Sequence, residues 1–378
     1  MEITVINTLP VPSGQASVNR LLSYAKGLVN LGNNVTVMSS GFLSSSNQIN
    51  DIDGVSVYNF GTGKNKFFSL MGALCSMSKY LYANRPDVII LVSNSLLLIW
   101  PLFFICKMKG IKFVQEKSEF PFSMMKTGVF NRIYSKIYIK TTYRLFDGLI
   151  VMTHPLYEFF STVVRKNCKI HEMPMTVDTD RFSGLEKEES SLGSYIAYCG
   201  NLSNKKDGIL NLIDAFQIVE RRFPVIKLLL IGGARNEDDM ETYQNEVKKR
   251  GLNNVVFHGK ADREEMPRLL VDAKCLLLAR PSSLQATGGF PTKLGEYLAT
   301  GNPVVVTAVG DIPLYLNASN SYIVKPDDNV AFANQIIRVL EDPETSKIIG
   351  KEGQKLAETV FSAKEQSKLL NEYLRTLL

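Results

Sequence analysis

The sequence predicts an α/β protein built from two doubly wound domains in tandem. Two observations lead there. Short apolar, strand-like runs alternate with stretches of helical periodicity along the whole chain, the rhythm of parallel sheets covered on both faces. That rhythm stops once, at a polar segment, and then starts again. At 378 residues, with 45% hydrophobic and 21% charged residues, the chain is too long for one ordinary core and too apolar for disorder.

Taken in order, strand-like runs stand at residues 3–7, 35–38, 55–58, 88–92, 111–115 and 149–152, with an amphipathic stretch at 17–31 and helical segments between most of them. The most apolar stretch, 88–106, is interrupted by Ser93, Asn94 and Ser95 and carries Pro101 in its second half. Its unbroken part, 96–106, is too short to span a bilayer. It reads as a buried strand followed by a buried helix. At 183–194, S-G-L-E-K-E-E-S-S-L-G-S, small and acidic residues replace apolar ones, so a linker is expected there. Strand-like runs resume at 195–199, 226–231, 255–258, 275–279 and 304–307, with helices reaching 222 and 250 and one near 292–300. Helical stretches at 329–340 and 344–378, broken near Ser362, close the chain. The expected domains are 1–185 and 186–361, followed by a terminal helix, 362–378. Two doubly wound domains imply a cleft, with ligands beyond the carboxyl ends of the strands.

Charge and cysteine content narrow the function classes. The net charge is +6, and it is uneven: residues 1–185 hold 19 Lys+Arg against 11 Asp+Glu, the remainder 24 against 26. A basic first half suits an anionic partner. Five scattered cysteines without a C-x-x-C argue against a disulfide framework or a cysteine-rich zinc site and point to a reducing compartment. The opening M-E-I-T-V-I-N has the pattern of a strand rather than of a secretory signal, so a cytoplasmic location is expected. No dinucleotide-type G-x-G-x-x-G follows the first strand, which counts against a dehydrogenase.

Two segments in the second half carry chemistry. The first, C-G-N-L-S-N-K-K-D-G at 199–208, follows a strand and opens a helix, bringing Asn201 and Lys206 to a glycine-containing loop. Free N–H groups beside a fixed positive charge suit a phosphate; a solvated loop with two surface lysines is the alternative. The second runs from Ala279-Arg280-Pro281 to T-G-G-F-P-T-K-L-G-E-Y-L-A-T-G at 287–301. Gly288 and Gly289 permit close backbone approach, Phe290 follows, and Pro291 suits a helix start. The amides of Thr292, Lys293 and Leu294 would then point out of that start as a second anion site, and Glu296, one turn on, can accept from a pair of sugar hydroxyls. A plain loop–helix–strand unit with Glu296 in solvent is the alternative.

Together these segments resemble the second domain of nucleotide-sugar glycosyltransferases of the GT-B fold, specifically glycosyltransferase family 4. M-P-M-T-V-D-T-D-R-F at 173–182, the strand at 229–233 and V-F-H-G at 256–259 resemble further family motifs in the same order. The resemblance implies two Rossmann-like domains facing a cleft, with the terminal helix, 362–378, crossing back to the first. It implies transfer of a sugar, with retention of anomeric configuration, from a UDP- or GDP-linked donor to a glycan or polyprenol-linked acceptor. It places Lys206 on the donor diphosphate, where the family's arginine partner is replaced by Asn201, so Arg280 or Lys293 is a candidate substitute. It places Glu296 on the donor ribose, and Gly289, Phe290, Pro291 and Thr292 beside the donor. The family's first glutamate falls on Gly288, a departure that bears on donor-sugar identity. A non-catalytic nucleotide-sugar-binding subunit is the alternative function. No metal or other cofactor is expected: Asp178-Thr179-Asp180 imitates a metal-binding D-x-D but lies in the family's turn motif, and the histidines lack metal-ligand spacing, His154 preceding a proline at a helix start and His171 and His258 lying in strand-like runs.

The first half adds weaker signals. P-S-G-Q at 12–15 resembles the family's glycine loop near the donor phosphate, with Gly14 its remaining glycine. After the strand at 111–115 come Glu116, Lys117, Ser118 and Glu119. A carboxylate at a strand's carboxyl end can polarise an acceptor hydroxyl, with Glu119 the first candidate and Glu116 the second; ion pairing with Lys112 or Lys117 is the alternative. Arg132, Lys136, Lys140 and Arg144 recur every four residues beside aromatic and aliphatic residues. That stripe suits an anionic membrane surface or a solvated helix face, and no nucleic-acid module accompanies it.

Overall fold

The computed structural model describes residues 1–13, 15–41, 51–61, 65–121 and 129–378. The chain forms two compact units: Met1–Thr176 with Ala363–Leu378, and Val177–Ser362.

The first unit is an eight-stranded sheet of β1 (Glu2–Asn7), β2 (Asn34–Ser39), β3 (Asp51–Ile52), β4 (Val55–Asn59), β5 (Val88–Val92), β6 (Lys112–Lys117), β7 (Gly148–Val151) and β8 (Lys169–Glu172). Its order is β3-β4-β2-β1-β5-β6-β7-β8, and only the β3–β4 pair is antiparallel. β1 is central because it is apolar on both faces: Val5 pairs with Val37 on one side and Ile90 on the other, all fully buried. Helices Ala16–Asn30 and Ala363–Arg375 join the same apolar core. Gly27 makes their contact possible, since a Cβ there would stand 2.0 Å from Ser367 Oγ. Tyr373 then donates its buried hydroxyl to the Lys169 carbonyl at 2.9 Å.

In this sheet β3 was not expected, and β8 was read only as a strand-like run around His171. Both are short and only partly buried, so neither shows the continuous apolar run of a central strand. The helix expected to be buried, Leu96–Lys109, buries Leu98, Ile99, Leu102, Ile105 and Cys106 but exposes Leu97, Trp100, Phe104 and Met108. Apolarity all round a helix does not tell which side meets the sheet.

Lys117, at the end of β6, is buried and donates to Asn94 Oδ1 at 2.5 Å. Burial lowers its pKa to about 7, with the Glu119 charge opposing. Between that value and the ordinary lysine value of about 10.4 the unfolded chain holds the proton that the folded chain has released. Stability therefore rises as pH increases through this window. Urea unfolding of the first unit, followed by the fluorescence of Trp100, the chain's single tryptophan, is expected to show that rise. The variant Lys117→Met is expected to remove it. An identical pH profile in the two proteins would refute the assignment.

The second unit is a six-stranded, wholly parallel sheet of β9 (Tyr195–Cys199), β10 (Lys227–Ile231), β11 (Val255–Gly259), β12 (Leu276–Leu278), β13 (Val304–Thr307) and β14 (Tyr322–Val324). Its order, β11-β10-β9-β12-β13-β14, reverses between β9 and β12. This reversal is the switch point beyond whose strand ends open parallel sheets bind ligands. The three-residue β14 was too short to be read from the sequence. The polar segment at 183–194 lies inside this unit rather than between units. Lys187 Nζ donates to the Ala273 carbonyl at 2.7 Å and to Asn302 Oδ1 at 3.2 Å. Glu188 N donates to Asp272 Oδ1 at 3.0 Å. Its polar groups find fixed partners, so its composition did not mark a free linker.

Candidate active site

The site is built at the switch point of the second sheet. β9 ends at Cys199 and leads through Gly200, Asn201, Leu202 and Ser203 into a short helix, Asn204–Asp207. Ser203 Oγ caps it, accepting from Lys206 N at 3.3 Å. Gly208 follows with φ +67, and a Cβ there would lie 2.0 Å from the Ala279 carbonyl oxygen. The glycine thus lets the Lys206 turn rest directly on the end of β12. Asn201 is exposed and Lys206 half-buried.

Across the switch point, β12 runs into Arg280, whose side chain is fully buried. Its Nε donates to the Lys206 carbonyl at 3.3 Å and its Nη1 to the Gly289 carbonyl at 2.8 Å. One guanidinium therefore joins the two segments singled out in the sequence. Its own carbonyl accepts from Thr307 Oγ1 at 2.8 Å, which ties the junction to β13.

The second segment has the expected helix, Thr292–Ala299, with Pro291 as its N-cap. Phe290 and Pro291 are buried and Gly289 half-buried, Phe290 packing edge-on against Tyr315 at 5.6 Å. The first amides of an α-helix have no acceptor within it, so those of Thr292 and Lys293 emerge at this end with the positive pole of the helix dipole. Two side chains hold the helix against β9. Tyr297, fully buried, accepts from Cys199 N at 2.6 Å. Lys293 pairs with Asp207 Oδ2 at 2.9 Å, their side chains 15% and 4% exposed. The Lys293 amine also donates to the Tyr198 hydroxyl at 2.6 Å. That hydroxyl lies 2.7 Å from the Asn201 carbonyl and 2.9 Å from Asp207 Oδ2 and donates to one of them. Burial lowers the Lys293 pKa and Asp207 opposes that shift. Gly200 closes over this amine, where a Cβ would approach Nζ to 2.5 Å.

Glu296 lies one turn into the helix, partly exposed, and accepts from Arg181 Nη1 at 2.6 Å. Arg181 stands in the 3-10 turn Thr179–Phe182, the stretch that imitates a metal motif, and also donates to the Arg263 carbonyl at 2.9 Å. Among the described residues no cluster of three His, Cys, Asp or Glu side chains has the arrangement of a metal site. His171 and His258 stand in β8 and β11, and His154 Nδ1 meets Glu172 at 3.0 Å.

In the first unit, Glu116 and Glu119 stand at the carboxyl end of β6 in different surroundings. Glu116 is buried. Its Oε1 accepts from Arg20 Nε at 2.8 Å and its Oε2 from the Tyr24 hydroxyl at 2.8 Å. Arg20 also donates to the carbonyls of Met173 and Pro174. Both Glu116 oxygens are thus engaged in a network that fastens the helix Ala16–Asn30 to the sheet, so the geometry disfavours it as an acceptor base. Glu119 is half-buried beyond the strand. Gly14 lies outside the described residues, as does the side chain of Arg132. Lys136 and Lys140 are exposed on the helix Val129–Thr142, and Arg144 is exposed in the 3-10 turn that follows. Ile133 and Ile137 are exposed beside them, whereas Tyr138 is buried.

Sequence reasoning missed Arg181, Tyr198, Asp207 and Tyr297. Asp207 was the most accessible of them, being adjacent to Lys206, but nothing in one dimension pairs it with Lys293.

Residues 179–356 match the sequence model of the family described as glycosyl transferases group 1, and this match falls within the second unit. Among curated proteins, the chain is 25% identical over 158 residues to O-antigen chain mannosyltransferase C of Escherichia coli, 41% of this chain and 40% of that protein. It is 26% identical over 185 residues to the capsular polysaccharide biosynthesis glycosyltransferase CapM of Staphylococcus aureus, 48% of this chain and 46% of that protein. These alignments span less than half of the relatives' lengths. Among solved structures, sucrose-phosphate synthase from Thermosynechococcus elongatus superposes with a TM-score of 0.80 at 16% identity, covering 100% of this chain and 99% of that one. Anabaena HepE in complex with UDP-glucose superposes with a TM-score of 0.77 at 16% identity, covering 100% of both chains. The expected fold class, two Rossmann-like domains of the GT-B type, is the one found.

Proposed function

We propose that this chain, whose second unit is a group 1 glycosyl transferase domain, moves a sugar from a UDP- or GDP-linked donor to a glycan or lipid-linked acceptor, keeping the anomeric configuration, in cell-surface polysaccharide or glycoconjugate synthesis. The observation that carries the reading is Arg280 joining the Lys206 turn to the Gly289 loop at the switch point of the second sheet. Two segments that in this reading bind the donor's phosphates are thereby held at one place, where such sheets take nucleotides. The solved structure that holds UDP-glucose, the relative named as an O-antigen chain mannosyltransferase and the one named for capsular polysaccharide biosynthesis support the same reading. The resemblance to family 4 supports retention.

In this reading Lys206 and the amides at the start of Thr292–Ala299 face the diphosphate. As the glycosidic bond breaks, charge gathers on the leaving oxygens. Groups already fixed around that position stabilise it without reorganising, and no metal is required of them. Glu296, steadied by Arg181, accepts from the ribose hydroxyls. In this reading Arg280 and Lys293 are positioning residues: Arg280 Nε and Nη1 hold loop carbonyls, and the Lys293 amine holds Asp207 and Tyr198. Glu119 polarises the acceptor hydroxyl, at the cytoplasmic side of a membrane.

Gly288 and Asn201 favour a second reading, a subunit that binds a nucleotide sugar without turning it over. Acceptor-free hydrolysis of a panel of UDP- and GDP-sugars, read by mass spectrometry, separates the two. Release of one sugar supports transfer, and proton NMR that finds the donor's α or β configuration in the first-formed product supports retention. Nucleotide binding without any release supports the second reading and overturns the first.

A further inference from the structure

Three helices of the first unit, Lys66–Asn84, Leu96–Lys109 and Val129–Thr142, follow the crossovers β4→β5, β5→β6 and β6→β7. These run in the opposite sense to the β1→β2 crossover that carries Ala16–Asn30. Right-handed connections therefore place the three helices together on the opposite face of the sheet. The first two touch: Lys109 Nζ sits 4.5 Å from the centroid of the Tyr82 ring, and Arg85 Nε donates to the Lys109 carbonyl at 2.9 Å.

Their outer surface is unusual in two ways. Leu97, Trp100, Phe104 and Met108 recur at helical spacing on one side of Leu96–Lys109, and Phe67, Phe68, Met71 and Tyr82 lie outward on Lys66–Asn84. All are between 39% and 71% exposed. The rings of Trp100, Phe103 and Phe104 cluster with centroids 5.5–6.3 Å apart, so this is a contiguous apolar patch rather than scattered side chains. The same three helices contain no aspartate or glutamate, while Lys79, Lys107, Lys136 and Lys140 are exposed on them.

We propose that this face docks on an anionic bilayer, with Trp100, Phe104 and Met108 entering the boundary between headgroups and acyl chains and the lysines meeting lipid phosphates. Charge complementarity selects the occupant. A second copy of the same face would bring lysines against lysines with no carboxylate on either set of helices to answer them. Among the described residues no helix is long and apolar enough to cross a membrane, so contact along the surface is the geometry that remains for these helices. The basic stripe of Val129–Thr142 is thereby extended to Lys66–Asn84 and to Leu96–Lys109, whose composition alone suggested burial, and the inference rests on the first unit alone.

Co-sedimentation of the full chain with vesicles tests it. Binding is expected to equimolar phosphatidylcholine and phosphatidylglycerol, with a blue shift of Trp100 fluorescence, and to be far weaker to pure phosphatidylcholine or at raised salt. Lys107→Gln and Lys136→Gln are each expected to weaken partitioning about fivefold. Trp100→Ser combined with Phe104→Ser is expected to abolish the binding while the circular dichroism of the protein is unchanged. Equal recovery with and without anionic vesicles would overturn the proposal. So would a dimer in vesicle-free solution that the Trp100→Ser, Phe104→Ser variant dissociates. Nucleotide binding to the second unit is read separately, so a failure here is distinguishable from a failure of the glycosyltransferase reading.

Discussion

Replacing Lys206 with alanine is expected to lower turnover about 10²–10³-fold, the loss that follows removal of one preorganised group facing developing charge. The fold should survive, because the backbone contacts by which Lys206 ties the turn to its neighbours are kept. Its N–H reaches the Ser203 cap and its carbonyl accepts from Arg280, and alanine keeps both. The prediction is therefore specific: kcat and kcat/KM fall together, while the unfolding temperature stays near that of the parent. Steady-state kinetics with the donor sugar identified by the panel, alongside thermal unfolding, measures both. A variant that keeps parental turnover would remove Lys206 from the chemistry.

The second large effect is structural. Lys293→Met removes the cation from a pair whose carboxylate, Asp207, is almost wholly buried. Breaking such a pair from one side typically costs about 3–5 kcal/mol, because the remaining charge is left in an apolar setting. For a unit of this size the unfolding temperature should drop by on the order of 10 °C. Adding Asp207→Asn should recover much of that loss, since the double variant buries no unpaired charge. Thermal unfolding of the parent, both single variants and the double variant gives the coupling directly. Additive losses would mean that the two side chains do not act as a pair. The same experiment bears on function: Lys293 and Asp207 stabilise the turn that carries Lys206, so the single variants should also weaken nucleotide binding without touching the nucleotide.

Much of the architecture was legible because strands buried on both faces have no room for polar residues. The runs at 88–92, 195–199 and 304–307 announce central strands for that reason. The loop positions were legible for another reason: glycine and proline at fixed offsets are demanded by backbone geometry, as at Gly208, where any Cβ would strike Ala279. What escaped were relations between distant residues. Glu116 looked like a carboxylate free at a strand end, yet it meets Arg20 from the helix Ala16–Asn30 and Tyr24 one turn further on. Arg280 was a candidate for the diphosphate, and nothing in one dimension showed that its Nε and Nη1 reach the carbonyls of Lys206 and Gly289. In both cases the place beyond a strand was legible, and the hydrogen-bond partners came from elsewhere in the chain. The helix Leu96–Lys109 escaped for a third reason. A helix apolar on every side carries no periodic signal to say which side faces outward.

The central claim is that the second unit holds a nucleoside diphosphate between the Lys206 turn and the start of Thr292–Ala299. Thermal unfolding of the full chain in rising UDP and in rising GDP tests it most directly. One of the two is expected to stabilise the protein, by about 2.7 kcal/mol at a hundred times its dissociation constant, and the Lys206→Ala variant should need more nucleotide for the same shift. Unfolding temperatures that do not move with either nucleotide at millimolar concentration would contradict it.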